Sequence, residues 1–299
     1  MAFRVGASFP TSEIGTDSYV IRDFAQAIED LGYSHLAAYD HVVGANVASR
    51  PDWTGPYTHK TPFHEPLVLF GYLSGVTRRL GFFTAVIILP QRQTVLFAKQ
   101  AANVDVFSRG RLRIGVGLGW NQVEYEALDA PFSRRGARLD DQIRFLRRLW
   151  TEAAFTEAGE FHRITDAGIN PLPLQGALPI WIGGWSEAAM MRAVRLGEGW
   201  TPSLPAEKAG ETVAAFHAAL RAAGREPAAV GLENMVLLGR TVGGPLRDAE
   251  AAIADAEAWR AAGATGVNVD TMAMGLTSIN EHIAIFRRVA EGLGLSKAP

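Results

Sequence analysis

The chain has no cysteine among its 299 residues, which excludes disulfides, thiolate nucleophiles, iron–sulfur ligation and cysteine-based zinc sites together. Any redox chemistry must then come from a bound organic cofactor. Lysine is scarce, 4 against 25 arginines, and the charges sum to −2, so nothing favours nucleic acid or an anionic membrane surface as a partner. No apolar run approaches the roughly 18 residues needed to span a bilayer, and no basic leader with an apolar core precedes the first strand-like segment. These absences lead to the expectation of a soluble cytoplasmic protein. No Gly-x-Ser-x-Gly elbow is present, which sets hydrolase readings aside. With neither repeat nor linker, residues 1–299 read as a single domain.

What the chain does contain is a regular alternation of strand and helix patterns. Strand-like runs occupy Phe3 to Phe9, His35 to Tyr39, Leu80 to Leu89, Arg111 to Val116, Pro179 to Ile182, Gly199 to Pro202, Val230 to Arg240 and Gly266 to Asp270. Between them lie helical patterns, such as Tyr19 to Leu31 with Val20, Phe24, Ala27, Ile28 and Leu31 on one face. Eight such units predict an α/β fold, a (β/α)8 TIM barrel with insertion loops at its C-terminal mouth. Two stretches lose periodicity, 44–65 and 155–178, the second with a possible hairpin around Phe161. Long loops in compact folds are commonly functional, and both are expected to roof a substrate cavity.

In parallel α/β folds active sites lie at the carboxyl ends of the strands. Asp40 and His41 stand at such an end, a carboxylate beside the side chain best suited to move protons near neutral pH. A lone Asp-His pair elsewhere would read as a loop cap and a structural histidine. The run Gly115-Val116-Gly117-Leu118-Gly119 lacks the third glycine of a dinucleotide fingerprint; it reads instead as a mouth of small residues, Gly117 among them, that lets a ring approach the backbone. Gly183, Gly184, Trp185 and Ser186 precede a helix, where free amides and a hydroxyl can hold a phosphate, although the same residues also suit a plain helix cap. Trp53 and Tyr57 in the long loop, with Trp120, are candidates for an apolar substrate pocket. His59 and His64 lack the partners of a metal site, and none is expected.

Several segments in collinear order resemble the luciferase-like monooxygenase superfamily: Tyr39-Asp40-His41-Val42, Glu65-Pro66-Leu67, Gly110-Arg111-Leu112, Gly115 to Trp120, Phe132-Ser133-Arg134-Arg135-Gly136 and Pro179 to Ser186. Within it the set is most similar to the branch using coenzyme F-420, an 8-hydroxy-5-deazaflavin. The resemblance implies a homodimeric barrel that passes a hydride between the coenzyme and a small-molecule substrate. It implies His41 as the catalytic proton-transfer group, with Asp40 at the polar edge of the ring. It also implies a bulge at Thr84-Ala85, placed by alignment, whose peptide is either cis against the ring or part of an ordinary strand. Trp120 stands where a sugar-phosphate dehydrogenase of the superfamily has an acidic glutamate, which argues against glucose 6-phosphate. Arg92-Gln93-Thr94 replaces a frequent Asn-Pro. An FMN-dependent monooxygenase, or a barrel that binds flavin or deazaflavin without catalysis, are the alternatives.

Overall fold

The computed structural model describes residues 3–239 and 246–296. Met1, Ala2 and Arg240, the last residue of the seventh expected strand, lie outside the described residues. The strands are β1 (Arg4–Ser8), β2 (His35–Ala38), β3 (Gly81–Thr84), β4 (Ile87–Ile88), β5 (Leu112–Gly117), β6 (Phe155–Ala158), β7 (Arg163–Ala167), β8 (Ile180–Gly183), β9 (Gly199–Thr201), β10 (Gly231–Leu237) and β11 (Gly266–Asp270). Except for the antiparallel β6–β7 hairpin, every pairing is parallel, and β3 and β4 both pair with β5 to close the sheet. Taken as one interrupted strand, β3 and β4 complete an eight-stranded barrel.

Nine helices surround it among the described residues: α1 (Ser18–Asp30), α2 (Pro66–Val76), α3 (Thr94–Ser108), α4 (Gln122–Ala127), α5 (Arg135–Thr151), α6 (Glu187–Leu196), α7 (Ala209–Ala222), α8 (Ala249–Ala262) and α9 (Ile279–Gly292). Local chemistry explains their limits. Asp17 caps α1 by accepting from the Tyr19 amide, and Ile21, Phe24, Ala25 and Ile28 form its buried stripe. Each such large apolar side chain contributes about 1.5–3 kcal/mol when fully buried.

The two faces of each strand do different work. Leu36, Ile114, Val116, Ile180, Ile182 and Val267 face the helices and build the main core. The other parity points along the barrel axis, where Ala37, Phe83, Ala85, Trp181 and Met235 form a small inner cluster. Beneath it lies an ionic layer. Arg113 donates to both Glu233 oxygens, at 2.6 and 2.9 Å, while its guanidinium is held between the rings of Phe83 and Trp181, 3.9 and 4.2 Å from their centroids. His35 Nε2 lies 2.8 Å from Glu233 Oε1; it also approaches Arg113, but a ring N–H donating to the carboxylate cannot accept from the guanidinium, and the shorter contact is the hydrogen bond. Gly6 makes this layer possible, because a Cβ there would sit 2.1 Å from His35 Nε2.

Two sequence expectations need correction. The apolar run Leu80 to Leu89 is not one strand. Phe83 pairs with Arg113 and Ile87 with Val116, so β3–β4 uses one residue more than β5 over the same span. Thr84 bridges the gap, its hydroxyl donating to the Gly115 carbonyl and accepting from the Gly115 amide, both at 2.8 Å. The cis peptide in this bulge joins Ala85 to Val86, one residue beyond the expected Thr84-Ala85. The second correction concerns 155–178, which does contain the hairpin but does not roof the mouth. It packs on α5: Phe155 and His162 both meet Phe145, and His162 is held between Asp141 and Thr94, each at 2.6 Å.

Candidate active site

A cavity of about 1150 Å³ opens at the carboxyl ends of the barrel strands. Its wall is assembled from strand termini: Tyr39 and His41 after β2, Ala85 and Val86 in the bulge, Gly183 and Gly184 at the end of β8, Thr201 at the end of β9, and Asp270 at the end of β11. Trp120, Trp185, Pro56 and Tyr57 form the outer rim. The long loop over 44–65 therefore does reach the mouth. Its Tyr57 and Phe63 pack on the His41 ring at 5.0 and 4.9 Å between centroids, and Trp120 closes the cluster at 5.6 Å from His41 and from Trp53.

Of the residues singled out in the sequence, His41, Ala85, Gly183, Gly184, Trp185, Tyr57 and Trp120 line this cavity. Trp53 stands behind Trp120. Asp40 is turned away: its Oδ1 accepts from Arg92 Nη2 at 2.6 Å, and its Oδ2 accepts from Arg92 Nε at 3.1 Å and the Ile88 amide at 2.9 Å. It thus fastens β4 to the end of β2, and Arg92 is its partner. Ser186 caps α6, its hydroxyl accepting from the Ala189 amide, and lines a smaller neighbouring cavity of about 240 Å³ with Lys208.

Gly117 and Gly183 share a reason that the sequence did not show. A Cβ on Gly117 would lie 2.6 Å from Val86 Cγ2, and one on Gly183 would lie 2.5 Å from Val86 Cγ1. The space spared by these glycines is occupied by Val86, which the bulge thrusts into the cavity wall.

Four further groups were missed. Glu124 is fully buried, and its carboxylate accepts from His41 Nδ1 at 3.0 Å and from the Val42 amide at 2.7 Å. No local pattern signals it, because 83 residues separate the pair. Tyr39 donates its phenol proton to Asp270 Oδ2, and Asp270 Oδ1 accepts from the Met272 amide at 2.7 Å. Burial pushes the Asp270 carboxyl above its usual range, and burial with Asp270 alongside holds Tyr39 well above the usual phenol value. Tyr57 is pushed up to about 12 mainly by burial. The signal for Asp270 was the one used for Asp40, a carboxylate at a strand end. Thr201 is the fourth: its hydroxyl is buried at the wall and has no hydrogen-bond partner among the described residues.

The chain resembles proteins of known sequence and structure along its length. An uncharacterized protein of Mycobacterium tuberculosis is 35% identical over 197 residues, 64% of this chain and 68% of that protein. The FMNH(2)-dependent dimethylsulfone monooxygenase of Pseudomonas putida is 34% identical over 139 residues, 45% of this chain and 38% of that enzyme. An F420-dependent secondary alcohol dehydrogenase, solved with an F420–acetone adduct, shares the fold with a TM-score of 0.77 at 15% identity, covering 98% of this chain and 99% of its own. The luciferase-like monooxygenase model matches residues 13–273, and with that span and this barrel the chain belongs to the luciferase-like monooxygenase family.

Proposed function

We propose that the protein is an oxidoreductase that transfers a hydride between coenzyme F-420 and a small organic substrate in the cavity at the barrel mouth. The observation that carries the reading is the placement of an imidazole, His41, at the wall of a cavity otherwise built from glycines, short side chains and aromatic rings. The residues present fit a flat ring system. Gly183, Gly184, Ala85 and Val86 offer backbone and compact apolar surface on one side, and the unpartnered Thr201 hydroxyl is available to a polar ring edge. At about 1150 Å³ the cavity exceeds the ~300–1,000 Å³ usual for one ligand, which leaves room for a coenzyme ring and a substrate together. The amides at the start of α6, with Lys208 nearby, are the proposed site for the coenzyme's phosphate.

When bound, a deazaflavin gives or takes a hydride, so the protein has to supply or remove the accompanying proton. His41 does this at Nε2, the ring nitrogen left free by the contact to Glu124. The aromatic cluster of Tyr57, Phe63 and Trp120 packs around the ring and keeps water from it. No lysine or arginine lines the cavity among the described residues, which favours a neutral apolar substrate such as a ketone, a secondary alcohol or an activated alkene.

The rival reading is FMN-dependent oxygenation, the activity carried by the name of the Pseudomonas relative. A pure binding barrel has less support, since it has no use for a histidine at the wall. The apolar side chains left exposed on α2 and α3, Val68, Tyr72, Leu96 and Phe107 among them, are the proposed dimer face. The test of the catalytic reading is His41→Ala. It is expected to bind coenzyme F-420 within about threefold of wild type while turnover falls about 100-fold or more, the scale of a lost general acid or base; unchanged turnover removes His41 from the chemistry.

A further inference from the structure

We propose that Glu124 is the positioning residue of the site: it fixes the His41 ring in the tautomer with the proton on Nδ1 and turns Nε2 to the cavity. A carboxylate offers only lone pairs, so the 3.0 Å contact between Glu124 Oε2 and His41 Nδ1 requires the proton on that nitrogen. Glu124 cannot turn away to relax this demand. It is fully buried, and its other oxygen is already engaged by the amides of Val42 at 2.7 Å and Val43 at 3.4 Å. Neighbouring Asn121 ties the same loop, donating from Nδ2 to the Val43 carbonyl at 3.3 Å. Asn121 and the short helix α4 that follow β5 therefore clamp the loop that follows β2, ring and backbone together. Asp40, adjacent in sequence, is committed to Arg92 and the Ile88 amide and has no part in this.

The arrangement serves proton transfer in either direction. Neutral, the ring presents an Nε2 lone pair that takes a proton from an alcohol; once protonated at Nε2, the cation is stabilised by the carboxylate behind it. The kinetic consequence rests on the hydride-transfer reading, whereas the tautomer does not.

Glu124→Gln separates the two. The amide has one carbonyl oxygen for two sets of donors. If it keeps the Val42 and Val43 amides, its NH2 group faces His41 and drives the ring to the Nε2–H tautomer. Long-range ¹H–¹⁵N spectra of histidine-labelled protein, at a pH where the ring is neutral, report the tautomer directly. His41 is assigned among the 7 histidines by comparison with His41→Gln. The expected result is Nδ1–H in wild type and a shift toward Nε2–H in Glu124→Gln, with coenzyme affinity within about threefold and kcat lowered about 100-fold. An Nε2–H ring in wild type overturns the proposal, and that spectrum decides even if Glu124→Gln fails to fold. A ring that keeps Nδ1–H in a folded Glu124→Gln also overturns it. A switched tautomer with unchanged turnover upholds the positioning and refutes the role of His41 in turnover.

Discussion

Substituting Gly117 by alanine tests how the cavity wall is built. The new Cβ would stand 2.6 Å from Val86 Cγ2, whereas carbon atoms pack at about 3.5–4.0 Å, so that methyl group has to retreat by about 1 Å. Gly183 blocks the retreat, since Val86 Cγ1 already occupies the place of its absent Cβ. Overpacking of this kind costs about 1–3 kcal/mol, or about 2–10 °C in Tm for a chain of this size. Because Val86 is part of the wall, the displacement also disturbs the proposed ring site, and the coenzyme Kd is expected to rise about tenfold, equivalent to about 1.4 kcal/mol. The decisive measurement is the double-mutant cycle with Val86→Ala. Removing both Cγ atoms leaves the new Cβ facing only Val86 Cβ at 3.8 Å, an ordinary contact. Gly117→Ala combined with Val86→Ala should therefore bind and melt better than the sum of the single variants predicts, with a coupling of about 1 kcal/mol or more. Strict additivity would refute the idea that these glycines exist to admit Val86.

The ionic layer below the site yields a stability prediction with a pH signature. Glu233→Gln leaves Arg113 buried without its counter-charge and should cost about 3–5 kcal/mol at neutral pH. The Arg113 guanidinium and His35 hold the Glu233 carboxyl far below its usual range against the opposing effect of burial. The folded state thus binds fewer protons there than the unfolded chain, so this stabilisation is present above about pH 4.3 and fades as pH falls toward the lowered folded value. The gap between the denaturant midpoints of wild type and Glu233→Gln should begin to narrow below about pH 4.3 and keep narrowing as the pH falls further toward the lowered folded value; a constant gap would contradict the assignment. Gly199→Ala and Gly231→Ala, each of which would place a Cβ 2.2 Å from the Trp181 ring, should lower the melting temperature or prevent folding, as followed by calorimetry. Asp40→Asn should act mainly on stability by loosening Arg92 and β4, with a smaller effect on coenzyme affinity in parallel titrations.

The barrel was legible because burial on two faces leaves two marks, a long alternation of elements and a parity within each strand. Where a segment is apolar on both faces the parity vanishes, so within Leu80 to Leu89 only the family resemblance, and not the residue pattern, pointed to a bulge, and it put the cis peptide one residue too early. The strand-end rule placed His41 and the glycines of β8 at the cavity, and applied to Gly266–Asp270 it would have supplied Asp270. It could not decide where a carboxylate turns. Asp40 is claimed by Arg92, 52 residues away, and the carboxylate that meets His41 comes from a short helix after β5. Pairings of that separation are set by the closed barrel and by no local spacing. Gly117 shows the same limit, since a small residue marks a close approach without saying what approaches.

The cavity is proposed to take a deazaflavin. This is tested most directly by titrating the purified protein with coenzyme F-420 and with flavin mononucleotide in parallel, following the fluorescence of each. The expected result is a coenzyme F-420 Kd in the micromolar range or below, with flavin mononucleotide binding at least about tenfold weaker. Tighter binding of flavin mononucleotide would contradict it in favour of oxygenation, and binding of neither would remove both enzyme readings.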